Sequence, residues 1–225
     1  MNVFSRLTLI AQILVVTASL AQQSPAPATI SFSLDFPQSI PDHYVITVSS
    51  DRHSTYESTG KLTPQSDPGD PFLAEFTVSP ETCKKIFDLA TKAKYFQAQI
   101  DSGNKKLAST GVKVLKYSEG SRKTEATYNY SPIPAVQQIT AVFQNISTTL
   151  EYGRRLDFYY HHQKLALEDE LKHMEEAAKS NNLGEIQAVA PILQSIVADH
   201  SVLNVTRARA QRLLAVANVT PVAGS

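Results

Sequence analysis

Near Ser131, the predominant spacing of apolar residues along this 225-residue chain changes from the alternation of strands to the three- and four-residue repeat of helices. Within His43–Ser50, the residues Tyr44, Ile46 and Val48 occupy every second position, which is typical of a strand with one face on a core. The first part of the chain must therefore bury one face of a sheet, and the second part must bury helix stripes. We predict an α+β fold.

About six short strands form an antiparallel sheet in this prediction, and the last two form a hairpin around Gly120. The predicted strands are Ile30–Phe36, His43–Ser50, Thr55–Thr59, Phe72–Val78, Val112–Tyr117 and Thr124–Tyr130. One helix interrupts them, because Ser79, Pro80 and Glu81 form a typical helix start, with a capping hydroxyl, a proline in the first turn and an acidic side chain. We expect this helix to end near Lys94 and to pack against the sheet.

Residues 132–220 are predicted to form a helical hairpin or small bundle, packed on residues 29–131 as one unit. Apolar stripes indicate two amphipathic helices, separate or fused through Gly153, then a helix kinked at Pro191. Ser201 is expected to cap a last helix that ends near Asn218. No flexible linker marks the junction after Ser131, so a separate second domain stays open as an alternative.

Residues 1–21 have the pattern of a signal peptide: Arg6 precedes an apolar stretch, and Ser19 and Ala21 are the small residues before the cleavage point. The stretch Leu7–Leu20 has 14 residues, fewer than the ~20 that cross a bilayer, although an uncleaved anchor is the alternative. We expect cleavage after Ala21, residues 22–28 as a linker, no transmembrane segment after cleavage, and export to the periplasm or medium.

Charge and cysteine content narrow the class of protein further. Lys plus Arg number 21 and Asp plus Glu number 21, so we expect no nucleic-acid partner. Cys83 is the single cysteine and cannot form an internal disulfide. Its spacing from Ile86, Phe87 and Ala90 places it on the buried stripe of the predicted helix, where an inert core thiol is expected.

Histidines and acidic residues in the second part form the most suggestive candidate metal site: His161, His162, Asp169, Glu170 and His173. On one continuous helix His162 and Asp169 lie about 10.5 Å apart along the axis, so one ion cannot bind both. Only Asp169 and His173 are spaced to ligate together, and no other helix carries a matching Glu-x-x-His. We therefore interpret this face as solvated and predict no metal and no cofactor.

We interpret the remaining histidines, the loop carboxylates and the glycosylation patterns as structural features or chance matches. We expect His200 at the buried or boundary face of its helix, and we expect His43 and His53 to flank strand ends, where a facing pair is possible. Loop carboxylates are interpreted as turn residues: Asp67, Asp70, and Asp101 with Asn104. The glycosylation patterns at Asn145, Asn204 and Asn218 are interpreted as chance matches, the first two because they fall in predicted helices. No serine-nucleophile elbow and no glycine-rich phosphate loop occurs in the sequence.

An aromatic run offers the clearest indication of a partner. Tyr152 and Tyr160 lie near the buried stripe, whereas Phe158 and Leu165 lie on the opposite side of the helix. We predict a partner surface formed by Phe158, Leu165, His162, Asp169 and His173.

Several segments resemble those of uncharacterised exported bacterial proteins that begin with a strand meander followed by one helix. The segments are 43–48, 56–58, 76–79, and 86–90 continuing to Tyr95-Phe96, which together cover under a third of the chain. The resemblance implies a bacterial, exported protein and assigns no activity. We expect a non-catalytic binding or structural protein of the cell envelope with a protein or cell-wall partner. The alternative is a secreted metal- or carboxylate-dependent hydrolase whose site is assembled from residues such as His43, His53, Asp101 or Asp169.

Overall fold

The structure is a computed structural model that describes residues 26–37, 39–63, 66–67, 69 and 71–218. The predicted signal peptide, most of the linker, Asp70 and the end of the predicted helical region lie outside the described residues, as does part of the pattern at Asn218. Among the helices that are described, none combines the length and the apolar character needed to cross a membrane.

The predicted six-stranded antiparallel sheet is confirmed, and each strand lies within a few residues of its predicted position. The strands are β1 Thr29–Asp35, β2 His43–Ser49, β3 His53–Thr59, β4 Phe72–Thr77, β5 Val112–Glu119 and β6 Arg122–Tyr128. Their order is β4-β3-β2-β1-β5-β6, so β4 and β6 form the two edges. The first four strands therefore form a meander, and β5 and β6 extend the sheet beyond β1.

One face of the sheet forms the floor of the core. The strand register aligns one side chain from each strand across the middle of this face: Ala74, Tyr56, Ile46, Phe32, Leu115 and Ala126. The central members of this row are almost fully buried, whereas the intervening residues of the same strands are half-buried or exposed. This is the alternation expected of an antiparallel sheet that is covered on one side.

In the part of the chain that the structure describes, five α-helices accompany the sheet, and their apolar stripes join it in one continuous hydrophobic core. They are α1 Pro80–Lys92, α2 Pro134–His162, α3 Leu167–Lys179, α4 Ala190–Ala198 and α5 Asn204–Val216. The predicted cap of α1 is confirmed, since Ser79 Oγ accepts the Thr82 amide at 3.2 Å. On α2, the ring of Phe143 stacks on Phe32 of the sheet with centroids 5.4 Å apart.

Three details of the predicted helices are wrong. A single continuous helix was expected to carry both His162 and Asp169, but α2 ends at His162, and the next residue, Gln163, has φ −148° and ψ 62°. Pro191 lies in the first turn of α4, where its missing amide costs nothing, so it produces no kink. The last helix begins after Leu203 and has no side-chain cap, so Ser201 does not cap it.

A buried carboxylate joins α1 to the chain segment before α4. Glu185 is 9% exposed, and its oxygens accept the Ser79 amide at 2.6 Å and the Ser79 hydroxyl at 2.9 Å. A negative charge at this place is stabilised by the partial positive charge of the α1 N-terminus. The contact fixes the approach of the helical region to the start of α1.

A network of ion pairs fixes α5 against α3. Arg209 donates to Glu168 at 2.8 Å and also pairs with Glu175, and Arg212 donates to Glu175 at 2.7 Å. Burial opposes ionisation of Glu175, but hydrogen bonds from Arg212 and Arg209 outweigh it and lower the pKa of this carboxyl. The ionised form is therefore favoured in the folded protein.

Replacement of Glu175 by Gln is expected to destabilise the protein in a pH-dependent manner. Because the folded pKa lies below the unfolded value near 4.5, the contribution of Glu175 is fully present above that value. It is lost as the pH falls through the folded pKa. Urea denaturation between pH 7 and 3 measures the difference between wild type and Glu175→Gln. The exposed Glu176 on the same helix provides the control, Glu176→Gln, and a wild-type advantage that grows on acidification contradicts the expectation.

Gly153 allows α2 to contact the segment that leads into α4. A Cβ placed on Gly153 would lie 2.4 Å from Val189 Cγ1, and Val189 is β-branched and buried. Because α2 runs without a break from Pro134 to His162, the fused helix is the correct one of the two predicted alternatives at Gly153. The glycine also permits the close approach of Val189.

We expect Gly153→Ala to destabilise the protein by about 1–3 kcal/mol, because overpacking outweighs the helix propensity gained. Val189→Ala opens space for the added methyl group, so the double variant is expected to be more stable than the two separate losses predict. Urea denaturation of the four proteins measures this coupling. A Gly153→Ala protein that is about 1 kcal/mol more stable than wild type, as helix propensity alone predicts, contradicts it.

Candidate functional cleft

A cleft of about 590 Å³ lies beside the edge strand β4. Its walls come from the sheet edge, the second half of α2, and the segment formed by the short 3-10 helix Ile186–Val189 and α4. The apolar lining residues are Leu62, Phe72, Ala74, Leu150, Gly153, Phe158, Ala188, Val189, Pro191 and Ile192. This size lies within the range of small-molecule sites in proteins.

Local sequence explains why these walls are apolar. Phe72 and Ala74 alternate along β4 toward the core side, and because β4 has a strand neighbour on one side only, both side chains are half-buried. Leu150 belongs to the buried stripe of α2, and Gly153 brings α2 against Val189. The cleft is thus the place where the core reaches the sheet edge.

Arg154 is the one arginine in the lining of this cleft. Its side chain is 13% exposed, and its guanidinium carbon lies 5.4 Å from the centroid of the Phe72 ring. The nearest acidic oxygen is Glu151 Oε2, 3.6 Å from Arg154 Nη1, and neither of these two buried atoms has a hydrogen-bond partner among the described residues. The pair is close enough for charge compensation but too far apart for a hydrogen bond.

Glu151 itself is held by the sheet. Its Oε1 accepts the Tyr56 hydroxyl at 2.8 Å and the Ser58 hydroxyl at 2.6 Å, and Tyr56 also contacts Ser147 Oγ at 3.0 Å. Burial, followed by the nearby carboxylate, raises the pKa of Tyr56 far above its ordinary value, so the phenol remains a donor. These contacts fix the rotation of α2 over β3, and Arg154 lies on the next turn.

The rim of the cleft carries the polar residues at the end of α2. His161 Nδ1 lies 2.8 Å from the Asp157 carbonyl oxygen and 3.7 Å from the Asp157 carboxylate, and both side chains are more than half exposed. The rings of Phe158 and His162 pack with centroids 4.9 Å apart. The rim is thus open to solvent, whereas Arg154 lies deeper.

The predicted partner surface is divided by the end of α2. Phe158, which we expected to be exposed, is half-buried and lines the cleft together with His162. Leu165 is 82% exposed and lies after the helix end, and Asp169 and His173 are exposed on α3. None of these last three lines the cleft. His162 belongs to α2 and Asp169 and His173 belong to α3, so the continuous helix assumed for their spacing is not formed.

His43 begins β2 and His53 begins β3, so both flank strand ends as predicted, whereas the prediction for His200 is wrong. His43 faces Thr59, which lies six residues beyond His53 on β3, about 20 Å along the strand, so the two histidines do not form a facing pair. His200 is exposed beyond the end of α4, with its Nδ1 3.2 Å from Arg207, rather than at the buried face of a helix.

The inferred roles of Cys83 and Asp101 agree with their surroundings. Cys83 is 7% exposed, and burial raises the pKa of its thiol. Asp101 accepts the Gly103 amide at 2.7 Å and the Asn129 amide at 2.8 Å, so it shapes its loop. In the part of the chain that the structure describes, no three His, Cys, Asp or Glu side chains are grouped so that they could hold a metal ion.

The sequence matches no protein-family model, and a search of curated proteins found no significant relative. The site must therefore be interpreted from its own residues. Sequence reasoning missed Glu151 and Arg154, although a signal was present. Thr140, Ser147, Glu151 and Arg154 follow each other at seven, four and three residues, which is the spacing of one helix face next to the apolar stripe.

Replacing Glu151 by Met is expected to cost about 3–5 kcal/mol of stability, because it leaves Arg154 buried without its carboxylate. The double variant Glu151→Met/Arg154→Met is expected to be more stable than the single variant, since no buried charge remains. Urea denaturation of wild type, both variants and Arg154→Met measures the free energies of unfolding for this double-mutant cycle. Simple additivity of the two single losses would show that the ions do not interact.

Proposed function

We propose that the chain is an exported, non-catalytic binding protein of the bacterial cell envelope, and that the β4–α2–α4 cleft is its binding site for a component of the envelope. The observation that supports this most is the cleft itself, whose walls are mainly apolar and come from three different elements. A concave apolar wall favours capture of a ligand by burial of apolar surface.

The hydrolase alternative has no comparable support. Among the residues considered for it, His43 and His53 lie at opposite ends of a strand pair, Asp101 is engaged by loop amides, and Asp169 is exposed on α3. A hydrolytic site needs its acid, base and substrate within hydrogen-bond reach of one another. The binding function is therefore the better-supported proposal.

Ser195 lies in the cleft lining and is exposed, so Ser195→Trp is expected to fill the mouth without disturbing the core. The fluorescent apolar probe N-phenyl-1-naphthylamine should bind the wild-type protein and should bind Ser195→Trp at least about tenfold more weakly. Gln211→Trp, at an exposed position of α5, is the matched control and should bind like wild type. Equal binding by all three proteins would show that the probe binds elsewhere and would refute the proposal that the cleft is the binding site.

Export is tested separately from binding. Expression of the full chain in a Gram-negative bacterium should yield a periplasmic product whose N-terminus is Gln22, since the small residues Ser19 and Ala21 precede that bond. Substitution of Ala21 by Phe should block processing at this bond. A cytoplasmic product that retains Met1 would contradict the export part of the proposal.

A further inference from the structure

The Arg154–Glu151 pair includes two buried atoms that make no hydrogen bond, and a buried polar atom without a hydrogen bond costs stability. Arg154 Nη1 and Glu151 Oε2 are both buried, lie 3.6 Å apart, and have no hydrogen bond to any described residue. The other oxygen of Glu151 already accepts two hydroxyl groups from β3. A guanidinium has five donors and gains most from a planar anion that takes two of them at once.

We propose that the cleft binds a small amphipathic carboxylate, a single anionic head group on an apolar body. The inference rests on the proposed function, since it names the ligand class of the same cleft. In the bound state the carboxylate accepts hydrogen bonds from the Arg154 guanidinium, and the apolar body lies against Phe72, Leu150, Val189 and Ile192. Arg154 remains close to Glu151, so its charge is shared between the two anions.

Charge complementarity favours one anionic group and no more. Arg154 is 87% buried, so its field is weakly screened, and Phe72 covers it from one side. The other titratable groups that line the cleft are Tyr160 and, at the rim, Asp157, His161 and His162, of which Asp157 is 65% exposed. Asp157 would repel a second acidic group near the mouth, although solvent screens it more strongly than Arg154.

The apolar walls of the cleft indicate that the part of the ligand beyond its carboxylate is apolar. Ten of the sixteen lining residues have apolar side chains or none, and most of the polar ones lie at the rim rather than beside Leu150 and Val189. A sugar or a highly charged ligand would leave its polar groups unpaired against these walls. A ligand that is polar at one end only satisfies both parts of the cleft.

Decanoate, decanol and decylamine, each below its micelle concentration, provide the test on the protein isolated after export. Displacement of N-phenyl-1-naphthylamine measures their affinities. We expect decanoate to bind at least about tenfold more tightly than decanol, because it adds charge-assisted hydrogen bonds to Arg154. Decylamine should bind no better than decanol.

Arg154→Met should remove the preference for decanoate over decanol, while retained decanol binding shows that this variant is folded. Arg154→Lys should keep part of the preference, since it keeps the charge but not the planar pair of donors. Arg155→Met is the matched control, because Arg155 is paired with Glu170 at 2.7 Å and does not line the cleft. This control should retain the full preference.

Each part of the proposal fails in a different way. Decanol and decanoate binding with equal affinity to wild type would overturn the carboxylate proposal and leave the apolar cleft intact. A preference that survives in Arg154→Met would also overturn it. Failure of all three amphiphiles to displace the probe would overturn the small-ligand proposal. Displacement only by an apolar peptide with an amidated C-terminus would overturn it as well. In either case the Ser195→Trp experiment shows whether the probe itself binds in the cleft.

Discussion

Glu151 connects the two halves of the chain, and the position of α2 depends on this contact. The carboxylate comes from the second, helical part of the sequence, and the hydroxyls that bind it come from Tyr56 and Ser58 in the first part. Apolar packing alone allows a helix to rotate or slide by small steps on a sheet, whereas hydrogen bonds to a buried carboxylate have a fixed geometry. The stacked rings of Phe32 and Phe143 add an apolar contact between the sheet and α2.

The cleft is a consequence of that orientation and of strand order. Once Glu151 faces β3, Arg154 must lie one turn further on, toward β4, and there it meets Phe72. Because β4 is the last strand on its side, the core ends beside it, and α4 approaches only as far as Gly153 and Val189 allow. An apolar wall and a buried cation thus come together at one edge of the sheet.

Sequence reasoning succeeded where the signal is local. The alternation in β2 and the Ser79-Pro80 start of α1 each depend on residues within a few positions of one another, and both are confirmed. It failed at Gln163, because Leu156 and Leu167 keep the expected spacing across the break and both are buried. It also failed for Glu151 and Arg154, since charged residues on an amphipathic helix are normally solvent-facing and nothing local shows that a sheet hydroxyl will meet them.

The sequence by itself determined the α+β class, the number of strands, the cap of α1 and the burial of Cys83, because periodicity and capping act over one or two turns of chain. Tertiary structure alone decided which strand forms the edge, where α2 ends, and that Tyr56 meets Glu151, a residue 95 positions away. Such contacts depend on how whole elements pack, and side chains of the same type satisfy the local pattern equally well in many packings. The cleft and its Glu151–Arg154 pair belong to this second group, although two residues of the cleft, Phe158 and His162, were already predicted as part of a partner surface.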